Sequence, residues 1–139
     1  MTPSFVVDAS SAMSWCFLDE ATPATRKLLT DISEKSVLVP AWWYVEIANV
    51  LVQAERKGRI DADQVAEFIA LIEALDVEVD NESPQRAFSH LLPLCRTHRL
   101  TSYDAIYLDL ALRRKLPLAS LDEPLRKAAK KLGIKLLGK

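Results

Sequence analysis

Phe5-Val6-Val7-Asp8 carries three apolar residues, two of them β-branched, straight into an acid. Continuous apolarity without alternation reads as a strand buried on both faces. Such a strand belongs in the middle of a parallel sheet covered by helices, and the rest of the chain must supply that cover. Asp8 then falls at the strand's carboxyl end, where open α/β sheets place their ligand sites. The small residues Ala9-Ser10-Ser11-Ala12 suit a strand-to-helix turn.

The remaining chain alternates in the way this start demands. Helices are expected over 11–17 and 25–34, then a strand at Val37-Leu38-Val39 closed by Pro40. A helix over 41–57 stops at Gly58, a C-cap residue. Asp61 and Gln64 have the spacing of a capping box and open a second helix, so 41–75 reads as a helical hairpin. Val77-Glu78-Val79 is a third, weaker strand. Ser83-Pro84 starts a helix that Pro93 should kink or shorten. Thr101 or Ser102 caps the helix 103–115, and a fourth strand runs from Leu116 or Leu118 into Leu121-Asp122. A helix over 125–132 ends at Gly133, before a fifth strand at 134–137. Alternating strands and helices define an α/β protein with a mostly parallel sheet of about five strands. The 139 residues are expected to form one domain over 1–139.

Composition excludes several classes. No apolar run approaches the ~18 residues of a membrane span, and the first residues lack the pattern of a signal peptide. Cys16 and Cys95 are isolated, so buried thiols in a reducing cytoplasm are expected rather than a disulfide or zinc site. The net charge of -1 hides an asymmetry. Residues 1–92 hold 7 Lys/Arg against 15 Asp/Glu, whereas residues 93–139 hold 11 against 4. A basic C-terminal third suits a phosphate backbone. Arg96, Arg99, Arg113 and Arg114 are the candidates for that contact. Lys130 and Lys131 read as charges that solvate the outer face of the last helix.

Four acids stand at strand ends or helix starts in apolar surroundings: Asp8, Glu46, Asp104 and Asp122. Each has an ordinary explanation alone, as a first-turn acid, a solvent-facing helical acid or an N-cap. Together they would repel one another, and a hard cation with oxygen ligands removes that repulsion. Mg²⁺ fits, because a few carboxylates hold it while it keeps waters and accepts phosphate oxygens; Mn²⁺ is a plausible substitute.

The order of these acids resembles the PIN-domain family, and within it the VapC-like toxins of toxin–antitoxin pairs. The matching stretches are Phe5–Ser10, Tyr44–Leu51, Leu100–Leu108 and Leu118–Leu125. The resemblance implies a three-layer α/β/α sandwich and a metal-dependent ribonuclease site at Asp8, Glu46, Asp104 and Asp122. It makes Ser10 and Ser120 orienting hydroxyls beside the first and last acids, with Asn49 one turn beyond Glu46 as a further orienting residue. It also implies a homodimer, an RNA substrate and a cognate antitoxin. The antitoxin would lay an amphipathic helix in the groove of the hairpin. Two positions depart from the pattern. Pro93 interrupts a helix usually continuous in relatives, and Asp109 replaces a small apolar residue, with Arg113 four residues on as a surface ion-pair partner.

Competing readings have less support. His90 and His98 face no plausible nucleophile, and Ser10 and Ser11 have no adjacent base for a triad. Trp42 and Trp43 could stack bases but read better as core or interface. A signalling receiver would use Asp80 as its phosphorylated acid, but it needs paired acids after the first strand and a Lys beyond the fifth. Ser10 likewise weakens a phosphatase of the DxD type. A non-catalytic interaction module is the remaining alternative.

Overall fold

The computed structural model of the chain describes residues 2–139. Five short strands, β1 (Val6–Val7), β2 (Val37–Pro40), β3 (Val77–Asp80), β4 (Leu118–Ala119) and β5 (Leu136–Leu137), form one sheet in the order β3-β2-β1-β4-β5. Every pairing is parallel. Val6 and Val7 have no exposed surface, as their uninterrupted apolarity requires. Val6 pairs with Leu38 on one side and Leu118 on the other. The ladder continues past β1, where the Asp8 N–H donates to the Ala119 carbonyl at 3.0 Å.

Parallel neighbours need crossovers, here supplied by α1 (Ala9–Met13), α2 (Pro23–Glu34), α3 (Trp42–Arg56), α4 (Ala62–Glu73), α5 (Ser83–Arg86), α6 (Leu92–His98), α7 (Ser102–Arg114) and α8 (Glu123–Lys131). The chain moves outward from β1 to β3, then returns across the sheet to β4 and β5. Right-handed crossovers put the helices of the two journeys on opposite faces, giving the α/β/α sandwich. The direction reverses between β1 and β4, so the crevice at their carboxyl ends is the topological switch point. The long helix α7 packs on β1, β2 and β4. It buries Ala105, Tyr107, Leu108, Leu110 and Ala111.

Local chemistry sets most boundaries. Asp61 and Gln64 form the expected capping box, and Gly58 takes a left-handed φ of 72° after α3. The first helix begins earlier than expected and is shorter, because the Asp8 side chain caps it by accepting from the Ser11 N–H. Strand β4 begins at Leu118, since Pro117 has no N–H to give to the sheet. Pro93 neither kinks nor ends its helix by itself. The turn before it, Ala87–Leu91, widens into a π-helix that separates α5 from α6. An extra residue in the turn accommodates a proline that cannot donate.

Asp109 and Arg113 are not a surface pair. The Asp109 side chain is 4% exposed and Arg113 is 12% exposed. Arg86 binds Asp109 with two nitrogens at 2.7 and 2.8 Å, while Arg113 reaches Asp109, Asp80 and Glu82. Burial raises the Asp80 carboxyl, but the Arg113 guanidinium, the Glu82 N–H and the Arg114 charge outweigh it and hold it below the usual range. This buried network ties β3 to α7 and to the segment before the π turn.

Candidate active site

The end of β1 delivers Asp8 into the switch-point crevice, only 4% exposed. A buried carboxylate needs donors, and three residues provide them. The Ser11 N–H reaches Oδ1 at 2.9 Å and the Ser120 hydroxyl reaches Oδ2 at 2.5 Å. The Ser10 hydroxyl lies 2.7 and 2.9 Å from the two oxygens. Both hydroxyls accept a backbone N–H in turn: Leu121 donates to Ser10 and Asp122 donates to Ser120, each at 3.0 Å. Those acceptances direct each hydroxyl's single hydrogen onto Asp8. Three hydrogens thus occupy a carboxylate with about four acceptor sites, leaving room for one more partner.

Asp122 follows β4 and caps α8, accepting from the Leu125 N–H at 3.0 Å. Capping fixes its position without excluding a second role. Glu46 projects from the second turn of α3, half-buried, and accepts the Tyr107 hydroxyl at 2.6 Å. Asp104 lies in the first turn of α7, where the Thr101 hydroxyl accepts its backbone N–H at 3.3 Å and leaves its carboxylate free of the cap. Asn49 is exposed and its side-chain oxygen accepts from Gln53, so it makes no bond to the acids.

The acids sense one another. Burial raises Asp8 above the ordinary carboxylate range despite Ser120, Ser11 and Ser10, and the Asp122 charge adds to the rise. Burial also raises Glu46, the Tyr107 hydroxyl opposes it, and Asp8 and Asp104 reinforce it. Asp104 is raised by burial and then by Asp122 and Asp8. Tyr107 itself is pushed well above the normal phenol range by burial and by Glu46. Sequence reasoning missed Tyr107. Its signal was its place three residues after Asp104, since a buried tyrosine hydroxyl needs a partner.

The donor set is all oxygen, which suits a hard cation and not zinc. Among the described residues, however, no group of three or more His, Cys, Asp or Glu is placed to hold an ion directly. A closed cage of four carboxylates is therefore not formed. The arrangement fits an ion that takes one or two carboxylates and fills its remaining positions with water, as Mg²⁺ does.

The candidate arginines divide. Arg113 is committed to the buried network, and Arg114 pairs with Glu78 at 3.0 Å. Arg96 and Arg99 are exposed. Trp43 is fully buried, while Trp42 stacks on Tyr103 with ring centroids 5.4 Å apart.

The PIN domain family profile matches residues 5–131. The chain belongs to the PIN-domain family. PIN domains are generally nucleases, typically use a divalent metal and typically act on RNA. By structure, this PIN domain is similar to PAE2754 from Pyrobaculum aerophilum. The TM-score is 0.71 at 23% identity, over 96% of this chain and 83% of that one, a likeness of fold. No curated protein matches the chain.

Proposed function

We propose that this PIN domain, one unit over residues 1–139, is a Mg²⁺-dependent endoribonuclease, with Mn²⁺ as a substitute metal, and the toxin of a toxin–antitoxin pair in the cytoplasm. The observation that carries the reading is the clamped, ionisable Asp8 at the switch point, with Glu46, Asp104 and Asp122 within reach of its charge. Asp8, Glu46, Asp104 and Asp122 would hold the ion, some of them through water. When bound, the metal supplies Lewis-acid stabilisation of a phosphoryl oxygen and a more acidic water. Ser10 and Ser120 keep Asp8 oriented and favour its charged form. Tyr107 does the same for Glu46. Hydrolysis would leave a 3′-hydroxyl and a 5′-phosphate.

The toxin reading draws on the hairpin of α3 and α4. A cavity of about 290 Å³ between them is lined by Ile47, Leu51, Phe68 and Ile72. An amphipathic antitoxin helix would seat its apolar face there. Exposed apolar side chains such as Trp42, Val45 and Tyr103 suit a two-fold homodimer. The deciding experiment incubates the purified chain with a mixed RNA pool, with EDTA and with Mg²⁺. Metal-dependent fragments are expected, and an RNA pool left intact in Mg²⁺ and in Mn²⁺ overturns the nuclease reading.

A further inference from the structure

Opposite the hairpin, α6 and α8 enclose a groove of about 970 Å³. Its lining holds Arg99, Arg126, Lys127, Lys130 and Lys131 against a single acid, Glu123. That acid is already paired with Lys139. Lys127, Lys130 and Lys131 fall at i, i+3 and i+4, on one face of α8. Asp122 is the N-cap of the same helix, displaced about 140° round it from Lys127. At ~1.5 Å of rise per residue the three lysines cover roughly 6 Å of the helix, and Lys127 lies about 7.5 Å along it from Asp122.

These charges are unspent. Among the described residues, Arg59, Arg86, Arg113 and Arg114 are all ion-paired, whereas Arg99, Lys127, Lys130 and Lys131 are not. Arg99 is also held in a left-handed conformation at φ 55° after α6. Arg126 ties the groove to the acids. Its guanidinium donates to the Ser120 carbonyl at 2.7 Å and the Leu137 carbonyl at 2.9 Å. The Ser120 hydroxyl is one of the donors that clamp Asp8. Arg126 therefore joins the groove wall to a residue that holds Asp8, and the positive charge of the groove offsets acids that would repel a polyanion left to themselves.

We propose that this groove binds the phosphate backbone of single-stranded RNA and feeds it to the acidic cluster. The proposal rests on the nuclease reading, and it assigns Lys127, Lys130 and Lys131 a role beyond solvating a helix. Backbone contacts position a strand without reading its sequence. The groove thus sets register and affinity, while sequence preference arises elsewhere.

The test is binding in EDTA, where cleavage does not intervene. Fluorescence anisotropy of a labelled single-stranded oligoribonucleotide is followed against salt for the wild type and for the triple variant Lys127→Gln, Lys130→Gln, Lys131→Gln. Each phosphate contact on a single strand contributes ~0.7 to the slope of log K against log salt, so the triple change should flatten it by about 2. The corresponding triple Lys→Arg variant should keep the wild-type slope. Arg99→Gly should weaken binding while its melting temperature holds or rises, because glycine is at ease at that φ. It carries the same test should the triple variant fold poorly. Duplex DNA and a polyglutamate peptide complete the assay. Unchanged slopes in both the triple variant and Arg99→Gly overturn the groove, as does tighter capture of duplex DNA or polyglutamate than of RNA. RNA held in the groove but never cut would instead sink the nuclease reading alone.

Discussion

At Asp104 a structural role and a catalytic role predict opposite results. Its carboxylate makes no cap bond, and burial with the charges of Asp122 and Asp8 raises it above the ordinary range. An acid raised in the native state holds its proton more tightly there, so native stability grows as pH falls through the window between the unfolded and folded values. Asp104→Asn removes that penalty. In EDTA at pH 7 its melting temperature should hold or rise, while RNA cleavage falls by orders of magnitude and the stabilisation by added Mg²⁺ shrinks. A mutant that melts lower and still cuts overturns the assignment. Asp8→Asn is a harder substitution, because the new amide must face the donor set built around a carboxylate. It should lose activity as completely but gain less stability. Tyr107→Phe deletes only the hydroxyl on Glu46. Losing an orienting partner typically costs 10–100-fold in metal affinity, whereas the half-buried Glu46 regains water and stability changes by about 1 kcal/mol. Cleavage titrated against Mg²⁺ separates the two, since the midpoint should move by that factor while the melt shifts by only a few degrees. The places of Asp8, Asp104 and Asp122 were readable because each follows a strand or opens a helix, and Glu46 falls one turn further into α3. Tyr107 was not, because its partner lies 61 residues away on another helix.

Between α7 and β3, the Arg113 network carries a cost that its sequence spacing concealed. Residues 109 and 113 sit at i and i+4, which normally describes a solvent-facing pair worth a few tenths of a kcal/mol. Here Asp80 and Asp109 are each 4% exposed at the side chain, and Arg86 and Arg113 neutralise them. Arg113→Leu strands Asp80, while Asp109 keeps Arg86, and should destabilise by about 3–5 kcal/mol. The wild type keeps the Asp80 contribution above the usual aspartate range and loses it as pH falls through the depressed folded value. The gap between wild type and mutant should therefore narrow in urea melts at pH 3. A gap unchanged between pH 7 and pH 3 contradicts this account. Element boundaries were legible wherever a local rule acts alone, as at Gly58, Asp61 and Pro40. They slipped where two elements share a residue. Asp8 ends a strand and caps a helix, so α1 starts before its apolar pattern does. Pro93 shows the same limit, because a π turn is one of two ways to absorb a proline and only the packing of that turn and α6 on α7 chooses between them.

For the whole molecule, the parallel sheet follows from chain alternation, but its strand order, the depth of the arginine network and the meeting of α6 with α8 do not. All three depend on crossovers that join residues far apart in sequence. Expression of the lone wild-type chain should slow growth and yield a dimer mass by light scattering. Co-expression with its antitoxin should restore growth. Harmless expression at confirmed soluble levels argues against the toxin role, and a monomer mass at tens of micromolar argues against the dimer. The clamp on Asp8 has a further consequence in time. Ser120 lies 112 residues downstream of the carboxylate it holds, and β1 waits for β4 as its second neighbour. A ribosome must deliver all but the last stretch of the polypeptide before the crevice exists. On the proposed nuclease reading, nascent and prematurely terminated chains lacking β4 would be inert toward RNA, and activity would begin only once β4 is in place.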